Sequence, residues 1–362
     1  MQISHNGFYN DVTGVILAGG LNRRMEQDKA TLSISGSTLF ERVEAVMRSL
    51  FNQVYIAGNR PDLARTDLPF YTDQFPGSSM TGLHTALLHA QTPWVCVLPC
   101  DLPFPSAALV KSLLEARQGF NAVVAKHPDR LEPLVACYHK DCLPLIEQRL
   151  GKGQYRLTEL LGELNVYCLN PEQLPNGWRR ALFNVNHPDD LEKLMCLPAA
   201  LTVVARSGTG KTTLLEKLIR ELTLRGWTIG ALKHDAHKFQ IDREGKDSWR
   251  MTRAGAVVTT ISSSEQSATI RKHDLEPNIK EILERDFREV DLVLTEGFKA
   301  SALPKIEIHR HTLGQPLLCR GEYHDPHLVA IASDTKINLD VPVLDLNATD
   351  TIVTFIEGTF LK

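Results

Sequence analysis

Leu201-Thr202-Val203-Val204-Ala205-Arg206-Ser207-Gly208-Thr209-Gly210-Lys211-Thr212-Thr213 reads as an apolar strand that runs into a glycine-bearing turn and then a helix. Gly208 and Gly210 let backbone N–H groups converge on an anion, Lys211 reaches the outer phosphates of a nucleotide, and the Thr212 hydroxyl can ligate Mg2+. Ser207, Thr209 and Thr213 complete the loop. The pattern is that of a P-loop with one departure, Ala205 in place of the first glycine. Leu215, Leu218, Ile219 and Leu222 follow as a single apolar stripe that stops at Gly226, a C′ glycine, so the loop opens an amphipathic helix.

A second turn of related chemistry stands near the start. Val15-Ile16-Leu17 leads into Ala18-Gly19-Gly20, and Arg23, Arg24 and Lys29 place cationic charge in the same loop. Trp94-Val95-Cys96-Val97-Leu98 carries Asp101 just past its end, where doubly wound folds place ligand-handling residues, so Asp101 is a candidate Mg2+ ligand. Leu292-Val293-Leu294-Thr295 does the same for Glu296, which belongs near a Mg2+ held by Thr212. Asp235 is another carboxylate at that edge. His234 and His237 read as loop or phosphate contacts rather than a zinc pair. Cys96 and Cys100 share one strand face and read as packing. His84 and His89, on a helix predicted after Gly82, read as packing or surface residues.

Strand-like runs alternate with helical patterns along the chain: Gly14–Ala18, Val54–Ala57, Trp94–Leu98 and Ala122–Ala125, then Leu201–Ala205, Ile229–Lys233, Val257–Ile261 and Leu292–Thr295. This predicts α/β layers on mostly parallel sheets. Thr38 and Glu41 form a capping box ahead of Phe40, Val43, Met47, Leu50 and Phe51, the first crossover helix. A closing helix over Leu191–Leu197 followed by Pro198 puts the boundary between two domains there, residues 1–197 and 198–362. The 362 residues, 43% hydrophobic and 23% charged, suffice for two cores, and a net charge of −3 argues against a general nucleic-acid binder. Seven cysteines without a Cys-x-x-Cys pair point to a reducing compartment. With no signal peptide and no apolar run of about 18 residues, the expectation is a cytoplasmic protein that engages no membrane.

Leu17-Ala18-Gly19-Gly20, Arg24-Met25, Asp28-Lys29, Pro76-Gly77 with Gly82, Pro99-Cys100-Asp101-Leu102-Pro103 and Asn184-Val185-Asn186-His187-Pro188-Asp189-Asp190-Leu191, in this order, resemble the molybdenum cofactor guanylyltransferase family (MobA) over roughly residues 12–195. The resemblance implies a Rossmann-like nucleotidyltransferase domain that joins GMP from GTP to molybdopterin, as its molybdenum form, and releases pyrophosphate. It implies that Leu17, Ala18, Gly19 and Gly20 line the nucleotide with Arg24 and Gly82. Lys29 contacts phosphate, Asn59 and Asp73 hold the nucleoside, Asp101 binds Mg2+, and Asn186 is a second-site contact. Lys29 and Asp101 are the residues expected to carry the chemistry. The family's usual glycine after Arg-Met is Glu26 here, a carboxylate expected to point away from the triphosphate.

The P-loop, together with Gly245-Lys246-Asp247-Ser248, Ala254-Gly255-Ala256, Glu296-Gly297-Phe298-Lys299 and Pro304-Lys305-Ile306-Glu307-Ile308, resembles the MobB family of GTP-binding adaptors over roughly residues 200–355. That resemblance implies a dimeric P-loop NTPase domain with weak GTPase activity, and molybdoenzyme chaperones or molybdopterin-inserting proteins as partners. The expectation for the whole chain is a fused guanylyltransferase and adaptor. Two rivals remain at this stage: a GTP-regulated scaffold, and another nucleotidyltransferase joined to a P-loop small-molecule kinase.

Overall fold

The computed structural model describes residues 7–19, 29–34, 36–65, 67–75, 77–185, 187–234, 241–273, 275–321 and 323–361. The chain divides into two compact units, Met1–Cys196 with Leu222–Thr228, and Leu197–Glu221 with Ile229–Lys362.

In the first unit the apolar run near the start forms β1 (Val12–Ala18), buried along its whole length. Its side chains alternate between two cores. Ile16 and Ala18 join Val43 and Met47 of α1 (Leu39–Leu50), while Val15 and Leu17 join Leu83 and Leu87 of α2 (Ser79–His89). The capping box ahead of α1 is present: the Glu41 N–H donates to Thr38 Oγ1 at 3.2 Å and the Thr38 N–H to Glu41 Oε2 at 2.8 Å. β1 passes through α1 to its parallel neighbour β2 (Val54–Gly58), which pairs in turn with β3 (Phe70–Thr72). The chain then returns across the sheet to β4 (Trp94–Pro99) on the other side of β1. After α3 (Ala107–Glu115) come β5 (Ala122–Lys126), β6 (Leu131–His139), α4 (Leu143–Gly151), α5 (Leu157–Glu163) and β7 (Val166–Leu169).

The sheet order is β3-β2-β1-β4-β6-β5-β7, parallel except for β6, which runs antiparallel to both its neighbours. Strand order reverses between β1 and β4, the place in an open α/β sheet where ligands enter at the carboxyl ends. Two sequence expectations shift. α2 is capped by Ser78, whose hydroxyl accepts from the Thr81 N–H, so Gly82 lies inside the helix rather than ahead of it. The closing helix is α6 (Pro188–Met195), started earlier by the box in which the His187 N–H donates to Asp190 Oδ2 at 2.8 Å.

The second unit opens with β8 (Ala199–Val204), then α7 (Lys211–Leu224), whose residues from Leu222 on count with the first unit, and β9 (Ile229–Lys233). α7 ends in a Schellman motif: the Trp227 N–H donates to Leu222 O and the Gly226 N–H to Thr223 O, with Gly226 at φ 89°. α8 (Asp247–Arg253), β10 (Val258–Ser262), β11 (Ser267–Arg271) and α9 (Ile279–Asp286) precede β12 (Leu292–Glu296), β13 (Lys305–His309), β14 (Leu328–Ser333), β15 (Val343–Asp345) and α10 (Thr349–Phe360). The main sheet is all parallel in the order β9-β12-β8-β13-β14-β15.

The run Val257–Ile261, read from the sequence as one more strand of the parallel series, does not join that sheet. Among the described residues β10 pairs only with β11, antiparallel. The physical reason lies in composition: strands of a covered parallel sheet are continuously apolar, as Leu292-Val293-Leu294 is, whereas Thr259, Thr260 and Ser262 make β10 polar on both faces.

Among the described residues of this unit, charge is buried around β13. Glu307 on β13, 2% exposed, accepts from the Leu318 N–H at 2.6 Å and the Cys319 N–H at 2.9 Å. Lys305, two residues earlier, reaches Asp325 Oδ2 at 3.1 Å and the Ser301 carbonyl at 2.5 Å. A buried carboxylate and ammonium of this kind persist only when their polar atoms are partnered, as these are. Together they tie the irregular segment after β13 to the sheet.

Candidate functional site

At the switch point of the first sheet the backbone is crowded. The Asn59 N–H donates to Ala18 O at 3.0 Å and the Cys100 N–H to Leu17 O at 3.1 Å, drawing the ends of β2 and β4 against the end of β1. Gly58 adopts φ 146°, and a Cβ there would stand 2.2 Å from the Ala18 carbonyl oxygen; no other residue allows the approach. Asn59 Nδ2 donates to Asp73 Oδ2 at 3.2 Å. Thr81 and Thr85, one turn apart on α2, also donate to the Asp73 carboxylate, at 3.3 and 2.8 Å. Burial raises the Asp73 carboxyl above its ordinary value, opposed by these two hydroxyl donors. The position a Cβ on Gly19 would take lies 3.9 Å from Asp73 Oδ2, and that of Gly82 lies 3.6 Å from the Leu17 side chain. The edge therefore brings together Leu17, Ala18, Gly19, Asn59, Asp73 and Gly82.

Asp101 is half-buried just past β4, and its carbonyl accepts from the Val185 N–H at 3.5 Å. It does not cap the following helix; Ser106 does. Next to Val185, Asn184 lines a cleft of about 470 Å³ with Ser78 and Ser79 at the start of α2, Glu132 on β6, and Tyr155 and Arg156 ahead of α5. Asn184 Oδ1 is buried with no hydrogen-bond partner among the described residues. Gly20, Arg24, Glu26 and Asn186 lie outside the described residues, and for Lys29 only the backbone is described. His84 is buried edge-on to Phe75, and His89 stacks on Tyr71 at 4.0 Å, which accounts for both as packing groups.

The second edge is contiguous. Gly208 and Gly210 take φ values of 78° and 91°, the left-handed conformation that turns successive N–H groups toward one point. Thr209 Oγ1 donates to Arg206 O at 2.9 Å and closes the turn. Ser207, Thr212 and Thr213 are exposed, and Lys211 Nζ lies across the loop, 3.3 Å from Ala205 O. Ala205, the departure from the P-loop pattern, is fully buried at the strand end and is accommodated without left-handed backbone. Glu296 arrives on β12, and its Oε2 is 3.5 Å from Thr212 Oγ1. Sequence reasoning missed Arg310, just past β13, whose Nε donates to the Thr209 carbonyl at 2.8 Å. No local pattern announces it, since it is brought to the loop only by strand order. His234 Nε2 sits 2.7 Å from Glu276 Oε1, while Asp235 and His237 are outside the described residues.

Among the described residues no three of His, Cys, Asp and Glu converge as a metal cage. One carboxylate near one hydroxyl, with nucleotide phosphates and water for the remaining positions, is the oxygen set that suits Mg2+. Burial pushes the Cys142 thiol up to about 12, and burial with the Glu307 carboxylate does the same for Cys319, so neither of these two is a thiolate near neutral pH. No helix among the described residues is long and apolar enough to cross a membrane.

Comparison with known proteins gives two non-overlapping matches. Residues 14–166 match the MobA-like NTP transferase domain, and residues 200–334 match molybdopterin guanine dinucleotide synthesis protein B. A probable molybdenum cofactor guanylyltransferase of Carboxydothermus hydrogenoformans is 32% identical over 188 residues, 51% of this chain and 95% of that protein. A molybdopterin-guanine dinucleotide biosynthesis adapter protein of Haemophilus influenzae is 39% identical over 159 residues, 44% of this chain and 87% of that protein. Its counterpart in Escherichia coli is 38% identical over 161 residues, 43% of this chain and 90% of that protein.

Proposed function

Because the chain belongs to the molybdenum cofactor guanylyltransferases through its first half and to the molybdopterin-guanine dinucleotide biosynthesis adapter proteins through its second, we propose that it makes the guanine dinucleotide form of molybdopterin and carries its own adaptor. The functional division falls at residues 197 and 198, and the reaction belongs to the first half. A terminal phosphate oxygen of molybdopterin attacks the α-phosphorus of GTP, a new P–O bond forms, the α–β anhydride bond breaks, and pyrophosphate leaves. No protein nucleophile is required.

The observation that carries this reading is the convergence at the switch point. The backbone of Leu17, Ala18 and Gly19 supplies close approach to phosphate, with Gly20, Arg24 and Lys29 continuing the same loop. Asn59 and Asp73 receive the nucleoside from one side, and Gly82 faces the Leu17 side chain from α2. Asp101, on the opposite flank of β1, would hold Mg2+, which supplies charge neutralisation for the phosphates. The adjoining cleft takes the second substrate. The orphaned Asn184 Oδ1 calls for an N–H donor of the kind a pterin carries, and Asn186 belongs to the same stretch.

The second unit binds GTP on Ser207–Thr213, with Lys211 on the outer phosphates and Thr212 and Glu296 as the pair that would hold its Mg2+. It hydrolyses GTP slowly and assists transfer. It also pairs with a second copy: Met251, Val257, Ile261 and Leu275 are between 55% and 86% exposed around the β10–β11 ladder, an apolar patch that the helix α8 bonded to the ladder through Thr252 and Thr259 leaves uncovered. Ile261→Glu should convert a sedimenting dimer to monomer; a monomeric wild-type protein overturns the dimer. The function itself is tested by incubating the purified chain with labelled GTP and molybdopterin. A guanylated pterin with equimolar pyrophosphate is expected, and GTP turnover without such a product refutes it.

A further inference from the structure

Arg310 occupies a position that the P-loop reading leaves without a role. The loop strand β8 lies between β12 and β13. On the β12 side stand Glu296 and Thr212, 3.5 Å apart, which in the proposed GTP site would address the outer phosphates together with Lys211. A nucleotide pinned there by its β- and γ-phosphates leaves the loop on the other side, over β13. Two arginines stand on that side among the described residues: Arg206, whose Nε donates to the Pro316 carbonyl at 2.9 Å, and Arg310, which reaches the loop itself. The Arg310 Nε donates to Thr209 O at 2.8 Å, Nη2 lies 3.7 Å from where a Cβ on Gly210 would be, and Nη1 is 4.0 Å from Asp334 Oδ2. Asp334 is itself fixed, because its Oδ1 accepts from the His311 N–H at 2.9 Å. The guanidinium is thus braced at the rim of the anion nest, with Nη2 directed over the Gly210 backbone. A planar fork so held is suited to a phosphate that bears two non-bridging oxygens.

Resting on the reading of Ser207–Thr213 as a GTP site, we propose that Arg310 contacts the α-phosphate of the nucleotide bound in the second unit, a contact shared by GTP and GDP and absent from pyrophosphate. The alternative is that Arg310 only props the loop through the Thr209 carbonyl. In that case every ligand of the nest depends on it equally.

The two are separated by calorimetric titration of the full-length chain with GTP, GDP and inorganic pyrophosphate in Mg2+ buffer, with Lys211→Ala identifying the heats that belong to the second unit. In Arg310→Ala, affinity for GTP and for GDP should each fall about tenfold to a hundredfold, the range of a charge-assisted hydrogen bond, and pyrophosphate affinity should stay within about twofold. Arg310→Gln keeps an N–H for the Thr209 carbonyl and removes the charge, so it should lose the same GTP and GDP affinity with an unchanged melting temperature. Equal losses for all three ligands, a loss confined to GTP and pyrophosphate, or a glutamine variant that binds like wild type each overturn the proposal. A wild-type protein with no Lys211-dependent heat would remove the GTP site itself, a distinct outcome.

Discussion

Seven consecutive residues, Ser207–Thr213, make most of the proposed phosphate cradle of the second unit, whereas the edge of the first unit is assembled from the ends of β1, β2 and β4, one face of α2 and the Asn184–Val185 stretch. A contiguous loop needs only its own strand–helix joint and its left-handed glycines to be right. A dispersed edge needs several elements in register at once, and the structure shows how that register is enforced: by main-chain bonds from Asn59 to Ala18 and from Cys100 to Leu17, and by the Gly58 approach. The difference teaches where each site is fragile. The first is sensitive to substitutions far apart in sequence, the second to a few adjacent ones.

The largest effect expected is at Asp101. Asp101→Ala should lower guanylyl transfer by about a thousandfold or more, followed as pyrophosphate release, while the fold persists, since Asp101 caps no helix. Transfer at the wild-type rate would break the assignment of chemistry to the first edge. Lys211→Ala should weaken GTP binding in the second unit by about tenfold to a hundredfold, read by calorimetry, and reduce transfer far less. If transfer collapsed as well, the two cradles would not divide the labour as proposed.

A subtler test uses pH. Burial raises Asp73 above the usual carboxylate value near 3.9, so nucleotide affinity at the first edge should begin to fall at a pH above that value as Asp73 takes up a proton. Stability runs the other way. The folded state holds this proton more tightly than the unfolded chain, so the contribution is present below the unfolded pKa and lost as pH rises through the raised folded one. Asp73→Asn should remove both pH dependences. The smallest effect is at Thr38: Thr38→Ala removes the α1 cap and should cost about 1 kcal/mol of stability in chemical denaturation, without changing transfer per folded molecule.

How much of this was legible follows from the same contrast. Ser207–Thr213, the α7 stripe and its Gly226 stop are local patterns, and the structure reproduces them within a residue or two. The capping box of α1 was equally plain, because its partners are three residues apart. Asn59 and Asp73 came only through family resemblance: nothing near either residue announces that Thr81 and Thr85 will meet Asp73 from a helix. Arg310 was invisible for the same reason. The misreading of Val257–Ile261 has a different origin. Five residues of strand propensity say that a strand forms, and not which neighbour it finds; that depends on whether both faces are apolar enough to be covered.

Glu307 turns a stretch without regular structure into part of the interior. Because the Leu318 and Cys319 amides spend their protons on a carboxylate that water barely reaches, releasing that segment exposes a naked negative charge as well as loop backbone. The Leu318 and Cys319 amides should therefore exchange with solvent deuterium as slowly as those of β13, and exchange at the rate of an ordinary surface coil would show that the carboxylate does not anchor the segment.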